Sequence, residues 1–450
     1  MPSPALKPNH TNKLGIWSLT AIVVGSAIGA GCFTTSGFLL ADLKDPVWVL
    51  LAWAVAGGIA FCGALSYGGL SRHITGSGGE YLYLTKTVSP LAGFLAGWVS
   101  LFAGFTGAIA YASHTFEAYF LPLTASTASL PEGIIASLII LICGCQHAFH
   151  FRSGTRLQNI AVGAKLVLLL GFIALAGILL WGGANDINGS QNATMVIEPF
   201  PGLLAFAISL MWISFSYSGF NASIYIAGQA YQPERNIRRS MTYGTLAIIL
   251  VYLGLNTVFV YSAPVSELAG QPDIAAIAAK SIGGERVEFL ARAIICVALF
   301  TSVSAMMMIG PRVYAKMAAD NVFPRFFHSE NSVPKNAIIL QVVLALAVMW
   351  MSNLRELLSY MGFSLMISSA ATIGSLFLLK IKRPEIDLTS SIPGYPLPPL
   401  VFIGSVVFTA TYTVIYHPGE LFWSLMLLLS GFLFYFLVKY RRSPAPAGTS

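Results

Sequence analysis

The chain has 450 residues, of which 56% are apolar and only 10% charged, and it carries a net charge of +7. A globular domain in water holds roughly 25% charged residues, so this composition excludes a soluble fold and defines an all-α polytopic membrane protein. Its five cysteines (Cys32, Cys62, Cys143, Cys145, Cys296) all fall inside apolar stretches. They offer neither a disulfide framework nor metal-ligand spacing, and no metal or cofactor is expected.

Met1 to Lys13 is polar and lacks the apolar core of a cleaved leader, so the first apolar segment is expected to be retained. A helix needs about 20 apolar residues to cross a bilayer. Twelve segments are predicted, at 14–40, 47–70, 88–121, 133–147, 157–181, 200–227, 240–262, 287–311, 337–352, 357–379, 399–416 and 420–439. An even number places both termini on one side. That side carries Lys7, Lys13, Arg72, Lys86, Arg152, Arg156, Arg235, Arg238, Arg239, Arg312, Lys316, Arg325, Lys335, Lys380, Lys382, Arg383, Lys439, Arg441 and Arg442. The opposite loops hold Lys44, Lys280, Arg286 and Arg355, and Lys165 and Arg292 fall within segments. The positive-inside rule makes both termini cytoplasmic in a plasma or bacterial inner membrane, and it accounts for the positive charge without a nucleic-acid partner.

The loops are short, and residues 1–450 read as a single transmembrane domain. Residues 1–13 form a cytoplasmic N-terminus, 14–227 hold segments 1–6, 240–379 segments 7–10 and 399–439 segments 11–12, with a tail at 440–450. The loop between segments 7 and 8 contains Ile274-Ala-Ala-Ile-Ala-Ala-Lys280, which predicts a short helix over the outer surface. The tail after Arg442 is expected to be disordered. Asn188-Gly-Ser190 and Asn192-Ala-Thr194 are glycosylation sequons on an outer loop, relevant only in a eukaryotic host.

Segment 1 contains Gly25-Ser-Ala-Ile-Gly-Ala-Gly-Cys-Phe33. Three glycines this close together favour breaking a helix, and a break at mid-membrane survives only where protein, water or a ligand satisfies the freed backbone. A half-helix starting near Ala30 would point unpaired N–H groups and a positive dipole end at that gap, as suits a carboxylate. The same small residues would equally serve as a packing stripe. Segment 6 carries a second interruption, Ser216-Tyr-Ser-Gly-Phe-Asn221. Breaks in segments 1 and 6 of a chain whose first ten segments divide as five plus five match the inverted-repeat transporter pattern, with two extra C-terminal helices. No residue-level repeat accompanies the breaks.

These motifs, with Gly78-Gly-Glu-Tyr81, Pro233-Glu-Arg-Asn-Ile237 and Gly310-Pro-Arg-Val-Tyr-Ala-Lys-Met-Ala318, resemble in order and spacing an amino acid permease of the amino acid–polyamine–organocation superfamily. The resemblance covers nearly the whole chain and is nearest to bacterial relatives of the L-amino-acid exchangers. Two positions depart from the pattern. Gly69 stands where relatives usually carry Glu, and Ala227-Gly-Gln229 lacks an acidic pair, so coupling through those carboxylates is in doubt.

An amino acid zwitterion needs an anion site and a cation site a few ångströms apart, and two facing breaks supply both. The N–H groups of Ala30 and Gly31 would hold the carboxylate, and the carbonyls of Ala27, Phe215 and Ser218 the ammonium. The resemblance points to the same positions, implying a substrate stretch of Ala27, Ile28, Gly29, Ala30 and Gly31, with Phe215 as a lid. Asn221 would either tune the pocket or make an interhelical amide bond.

Lys165 lies about eight residues into segment 5, roughly 12 Å deep at ~1.5 Å per residue. A charged lysine there costs ~2.5–3.5 kcal/mol or more, so it must pair, face a cavity, be neutral or snorkel. In transporters of the fold that the resemblance implies, a lysine at this place occupies what is elsewhere a sodium site, with Tyr252 and Ser302 as neighbours. Arg292, near the outer end of segment 8, reads as snorkelling. No Asp or Glu falls near the centre of a segment; Glu117 and Glu288 lie toward outer ends. Without a fixed anion in the pocket, neutral L-amino acids are favoured over dibasic ones.

A channel would want a continuous pore lined by carbonyl or charge rings. A membrane enzyme would need intramembrane His, Asp or Glu constellations, and the one histidine well inside a segment, His114, stands without an acidic partner. The reading is secondary active transport of amino acids by alternating access, as an exchanger. A proton-coupled symporter and a non-transporting amino acid sensor of the same fold are its alternatives. The sequence does not reveal a partner subunit.

Overall fold

The computed structural model describes residues 13–123, 131–149, 154–182, 199–329 and 333–440. The sequons at Asn188 and Asn192 and the tail after Arg442 lie outside them. Among the described residues every regular element is helical, apart from one β-bridge between Leu14 and Ala230. Ten helices among the described residues are long and apolar enough to cross a membrane. Two shorter apolar helices, Ile134–Phe149 and Lys335–Met351, fall on predicted segments 4 and 9.

Segment 1 is two helices, Ile16–Ala27 and Ala30–Leu43. Between them Ile28 (φ −71°, ψ 90°) and Gly29 (φ −133°, ψ −158°) leave helical space. Segment 6 runs as α-helix from Leu203 to Tyr217 and then tightens into a 3₁₀ stretch, Ser218–Gln229. The α-helix ends inside the predicted stretch, but the chain passes into the 3₁₀ run without leaving helical φ/ψ at Tyr217 or Ser218; the backbone departs from helical space further on, at Ile226 (φ −121°, ψ 17°). A 3₁₀ run beyond three or four residues is unusual and marks strain or a hinge. Segment 3 also departs from simple helix, since Ser100–Gly107 is π-helical between Pro90–Val99 and Ala108–Phe120.

Segment 2 (Pro46–His73) packs along segment 7 (Pro233–Tyr261) more extensively than any other pair of helices. Glycines make that approach possible. A Cβ at Gly68 would come within 2.6 Å of Arg238 Cγ, and one at Gly57 within 3.0 Å of Ile249 Cγ1. Trp53, Tyr217 and Tyr252 cluster there, with ring centroids 5.1–5.9 Å apart. Each such pair adds about 0.5–1.5 kcal/mol beyond burial. The departure at Gly69 has a packing reason too, because a Cβ there would meet Ile392 Cγ1 at 2.4 Å. Segments 11 (Leu397–Tyr416) and 12 (Pro418–Tyr440) lie at the periphery and expose Val407, Ile415, Phe422, Trp423 and Leu433, as lipid-facing helices do.

The first broken helix is tied to the second at one end. Leu14 donates its N–H to the Gln229 carbonyl (2.8 Å), and Tyr231 donates to Leu14 (2.9 Å). At the other end, Gly270 donates to the Gly37 carbonyl at 2.7 Å, and a Cβ at Gly37 would overlap the Gln271 carbonyl oxygen at 1.9 Å. The loop between segments 7 and 8 is therefore strapped to the second half of segment 1. The short helix predicted at Ile274–Lys280 exists as the first leg of Ile274–Ala319, which bends at Gly283 and at Gly284 (φ 70°).

Arg292 does not snorkel. It is buried, and its guanidinium bonds Asp273 at 2.8 Å and Glu288 at 2.9 Å and lies over the Tyr119 ring. The expectation failed because Asp273 comes from the far side of the Gly283–Gly284 bend, a fold-back that helical spacing within segment 8 does not register.

Candidate functional site

The two breaks face one another across a cavity of about 110 Å³. Segment 1 contributes Ser26, Ala27, Gly29, Ala30 and Gly31, and segment 6 contributes Phe215, Ser216, Ser218, Gly219, Asn221, Ala222 and Tyr225. Segment 3 adds Gly104, Phe105, Ala108 and Ala112, segment 8 Met306 and Ile309, and segment 10 (Leu354–Lys382) Leu365 and Ser369. Ala30 and Gly31 open the first turn of a helix, where N–H groups have no intrahelical acceptor. Together with the dipole they suit an anion.

Backbone meets backbone at this point. A Cβ on Gly219 would lie 2.4 Å from the Ala27 nitrogen, and one on Gly31 would lie 2.3 Å from Ser216 Oγ and 3.2 Å from its Cα. Tyr252 spans the gap behind them, its hydroxyl 2.5 Å from the Ala27 carbonyl and 2.9 Å from that of Ser216. Phe215 lines the cavity and meets Tyr111 edge-on, with centroids 5.5 Å apart.

Of the predicted substrate residues, Ala27, Gly29, Ala30, Gly31, Phe215, Ser218 and Asn221 reach the cavity. Ile28 does not line it. Its side chain is buried and its carbonyl is turned toward Lys165 and Ser302. Lys165, on the helix Gly154–Gly182, is buried behind the break. Its amino group donates to the carbonyl of Ile28, to Ser302 Oγ at 2.9 Å and to the Ala298 carbonyl at 3.4 Å. Three N–H donors thus meet three neutral oxygens. Tyr252 and Ser302 stand on either side of the first break and outside the cavity.

One lining residue was not foreseen as part of the site. Glu80, in the helix Gly79–Thr87 between segments 2 and 3, is buried and reaches the cavity wall. The inference that the pocket holds no fixed anion therefore fails. Its premise was sound, since Glu80 lies in no apolar segment, but the chain re-enters the interior after segment 2. Gly78 (φ 139°) and Gly79 (φ 62°) make that turn, and a Cβ on Gly79 would lie 2.1 Å from the Tyr225 ring. The adjacent glycines before an acidic residue were the available signal. Glu80 Oε1 accepts from Tyr67, from Ser369 at 3.0 Å and from Asn221 at 3.3 Å, and Oε2 accepts from Ser368 at 2.6 Å. Burial pushes its carboxyl above the usual carboxylate range, and the hydroxyl donors pull the other way. Asn221 thus both lines the cavity and makes an interhelical amide bond, joining its two readings.

A second cavity shares Ser26 and Ile309 with the first and continues past Gly25, Val162 and Met308 to Leu14, Gln229 and Arg312. It lies between the site and Arg312.

Among the described residues, a helical bundle in which segment 1 is broken and segment 6 changes from α-helix to 3₁₀ around a shared cavity is the architecture of a substrate-carrying transporter. The family model described as amino acid permease matches residues 14–438, and the chain belongs to that family. It is 25% identical over 453 residues to the mouse "b(0,+)-type amino acid transporter 1", covering 97% of this chain and 90% of that one. It is also 25% identical to the human "Large neutral amino acids transporter small subunit 2" (95% and 80% covered) and 24% identical to the mouse "Asc-type amino acid transporter 1" (96% and 82%). The protein is a multi-pass membrane protein of amino acid transport.

Proposed function

We propose that this permease carries L-amino acids, neutral ones among them, across a cell membrane by alternating access, with both termini cytoplasmic. The observation that carries the reading is the opening of the Ala30 and Gly31 N–H groups into a cavity walled on its other side by the segment 6 break. Main-chain recognition specifies the α-amino and α-carboxyl groups and leaves the side chain to the remaining wall. The words "large neutral amino acids" in a relative's name support the same substrate class. The breaks in segments 1 and 6 support a five-plus-five inverted repeat, and the link between the two cavities supports passage to the cytoplasmic side.

Exchange is the simpler cycle, since it needs only one site that reorients when filled. Proton coupling is the second reading, favoured by the buried Lys165 amino group among neutral oxygens, where protonation and deprotonation would change what holds the break. Purified protein in liposomes tests both. Uptake of leucine that requires internal amino acid marks an exchanger, and uptake driven by an inward proton gradient into empty liposomes marks a symporter. Folded protein that binds amino acids without moving them would overturn transport in favour of a sensor.

A further inference from the structure

Both charges of an amino acid backbone are accounted for at the two breaks, yet the cavity holds one more ionisable group. Glu80 meets donors from three segments: Tyr67 from segment 2, Asn221 from segment 6, and Ser368 and Ser369 from segment 10. All four are neutral. The ionisable side chains that interact with it, Tyr67 and Tyr225, are phenols, and among the described residues no ion pair includes Glu80. Much of the remaining wall is apolar, with Phe105, Met306, Ile309 and Leu365. A carboxylate taken out of water without a counter-ion is strongly disfavoured. A proton or a guest cation relieves it.

We propose that Glu80 is the side-chain specificity group of the site, selecting amino acids that bear a second positive charge, such as lysine or ornithine, with the carboxylate as counter-ion to the side-chain ammonium. The proposal rests on the reading of this cavity as the amino acid site. In the empty pocket the carboxyl holds a proton. When the cationic side chain enters, the O–H bond breaks, the proton leaves through the second cavity, and the ammonium takes its place beside Oε2, the oxygen with a single protein donor. Net charge in the pocket is the same before and after exchange. A neutral side chain leaves the proton where it is.

Lysine and norleucine isolate this group, because they differ at the end of the chain by the ammonium alone. Uptake of each is measured in proteoliposomes containing the full chain as wild type, Glu80→Gln and Glu80→Asp, and proton release on binding is followed in weakly buffered detergent solution. The wild type is expected to prefer lysine over norleucine and to release up to one proton per lysine bound, and none per norleucine. In Glu80→Gln the lysine-to-norleucine ratio falls at least tenfold, about 1.4 kcal/mol, and lysine-linked proton release is lost. Glu80→Asp recovers part of both.

A wild type that takes norleucine but ignores lysine overturns the proposal and leaves the amino acid site standing. So does a proportional loss of both substrates in Glu80→Gln with the wild type's proton release absent, which would make Glu80 a packing hub. Wild-type protein that is folded yet binds neither compound, nor any other amino acid, overturns the site reading itself. Should Glu80→Gln fail to fold, the wild-type proton count still decides.

Discussion

Ser302 Oγ lies 2.9 Å from the Lys165 amino group, and both side chains reach the same carbonyl, that of Ile28 in the first break. A cation here pins segments 5, 1 and 8 together without entering the cavity. Removing it is expected to shift the balance between inward- and outward-facing states more than it weakens binding. Lys165→Ala should lower the transport rate severely while substrate dissociation changes by less than about tenfold, ~1.4 kcal/mol. Initial uptake rates and equilibrium binding on one preparation check this. Loss of binding with the fold intact would make the lysine a ligand, and unchanged transport would return it to a passive role.

Gly31 is hemmed in by Ser216. A valine there needs room that Ser216 Oγ already occupies, and its branched side chain would stand in the path of a carboxylate approaching the main chain. Gly31→Val should abolish uptake while the protein still inserts and runs as a single species on gel filtration. Normal uptake would reduce the break to a packing device.

The orientation drawn from the basic residues is checked at Arg238, near the start of segment 7. On a background without native cysteines, Arg238→Cys should resist an impermeant thiol reagent applied to intact cells and react after permeabilisation. Labelling from outside would invert the topology.

Arg292 is buried, and its partners Asp273 and Glu288 are 20% and 17% exposed. Arg292→Met keeps the aliphatic bulk, leaves Asp273 unpaired and leaves Glu288 only its exposed partner Lys280 at 3.6 Å. The expected loss is about 2 kcal/mol, between the small value of exposed pairs and the larger one of fully buried pairs. Thermal unfolding in detergent measures it. Adding Asp273→Asn should recover part of the loss, since it removes one stranded charge.

Glu80 predicts a pH dependence with a definite sign. Burial raises its carboxyl pKa, so acid conditions favour the protonated form, which must give up its proton before a side-chain ammonium can pair. Lysine affinity should fall as pH is lowered, norleucine affinity should not follow it, and Glu80→Gln should flatten the lysine profile. Competition binding across pH checks all three.

The first break was legible because its cause is local: the cluster of glycines at 25, 29 and 31 marks a stretch where a helix yields, and it does yield at Ile28 and Gly29 and restart at Ala30. The second was legible only as the end of the α-helix; the 3₁₀ continuation from Ser218 and the departure at Ile226 left no mark in the sequence. Lys165 was found by depth alone, because a lysine in apolar surroundings demands a partner. Phe105 and Gly104 were invisible, since the π-helical stretch that turns them inward leaves no mark on apolar periodicity. Glu80 and Arg292 were misjudged for a shared reason. Each is placed by a glycine turn that folds the chain back into the interior, and linear distance from an apolar segment says little about depth after such a turn.

The seam between Gly37 and the Gly270–Gln271 backbone admits no side chain. The second half of segment 1 begins at the Ala30 and Gly31 N–H groups, meets this loop midway at Gly37 and runs on to Leu43, so one helix joins the site to the loop. Any tilt that accompanies substrate capture must carry the loop along. The solvent-exposed Glu267 is a few residues from the seam, so a fluorophore there would act as a pointer, turning events at mid-membrane into a signal readable without touching the site.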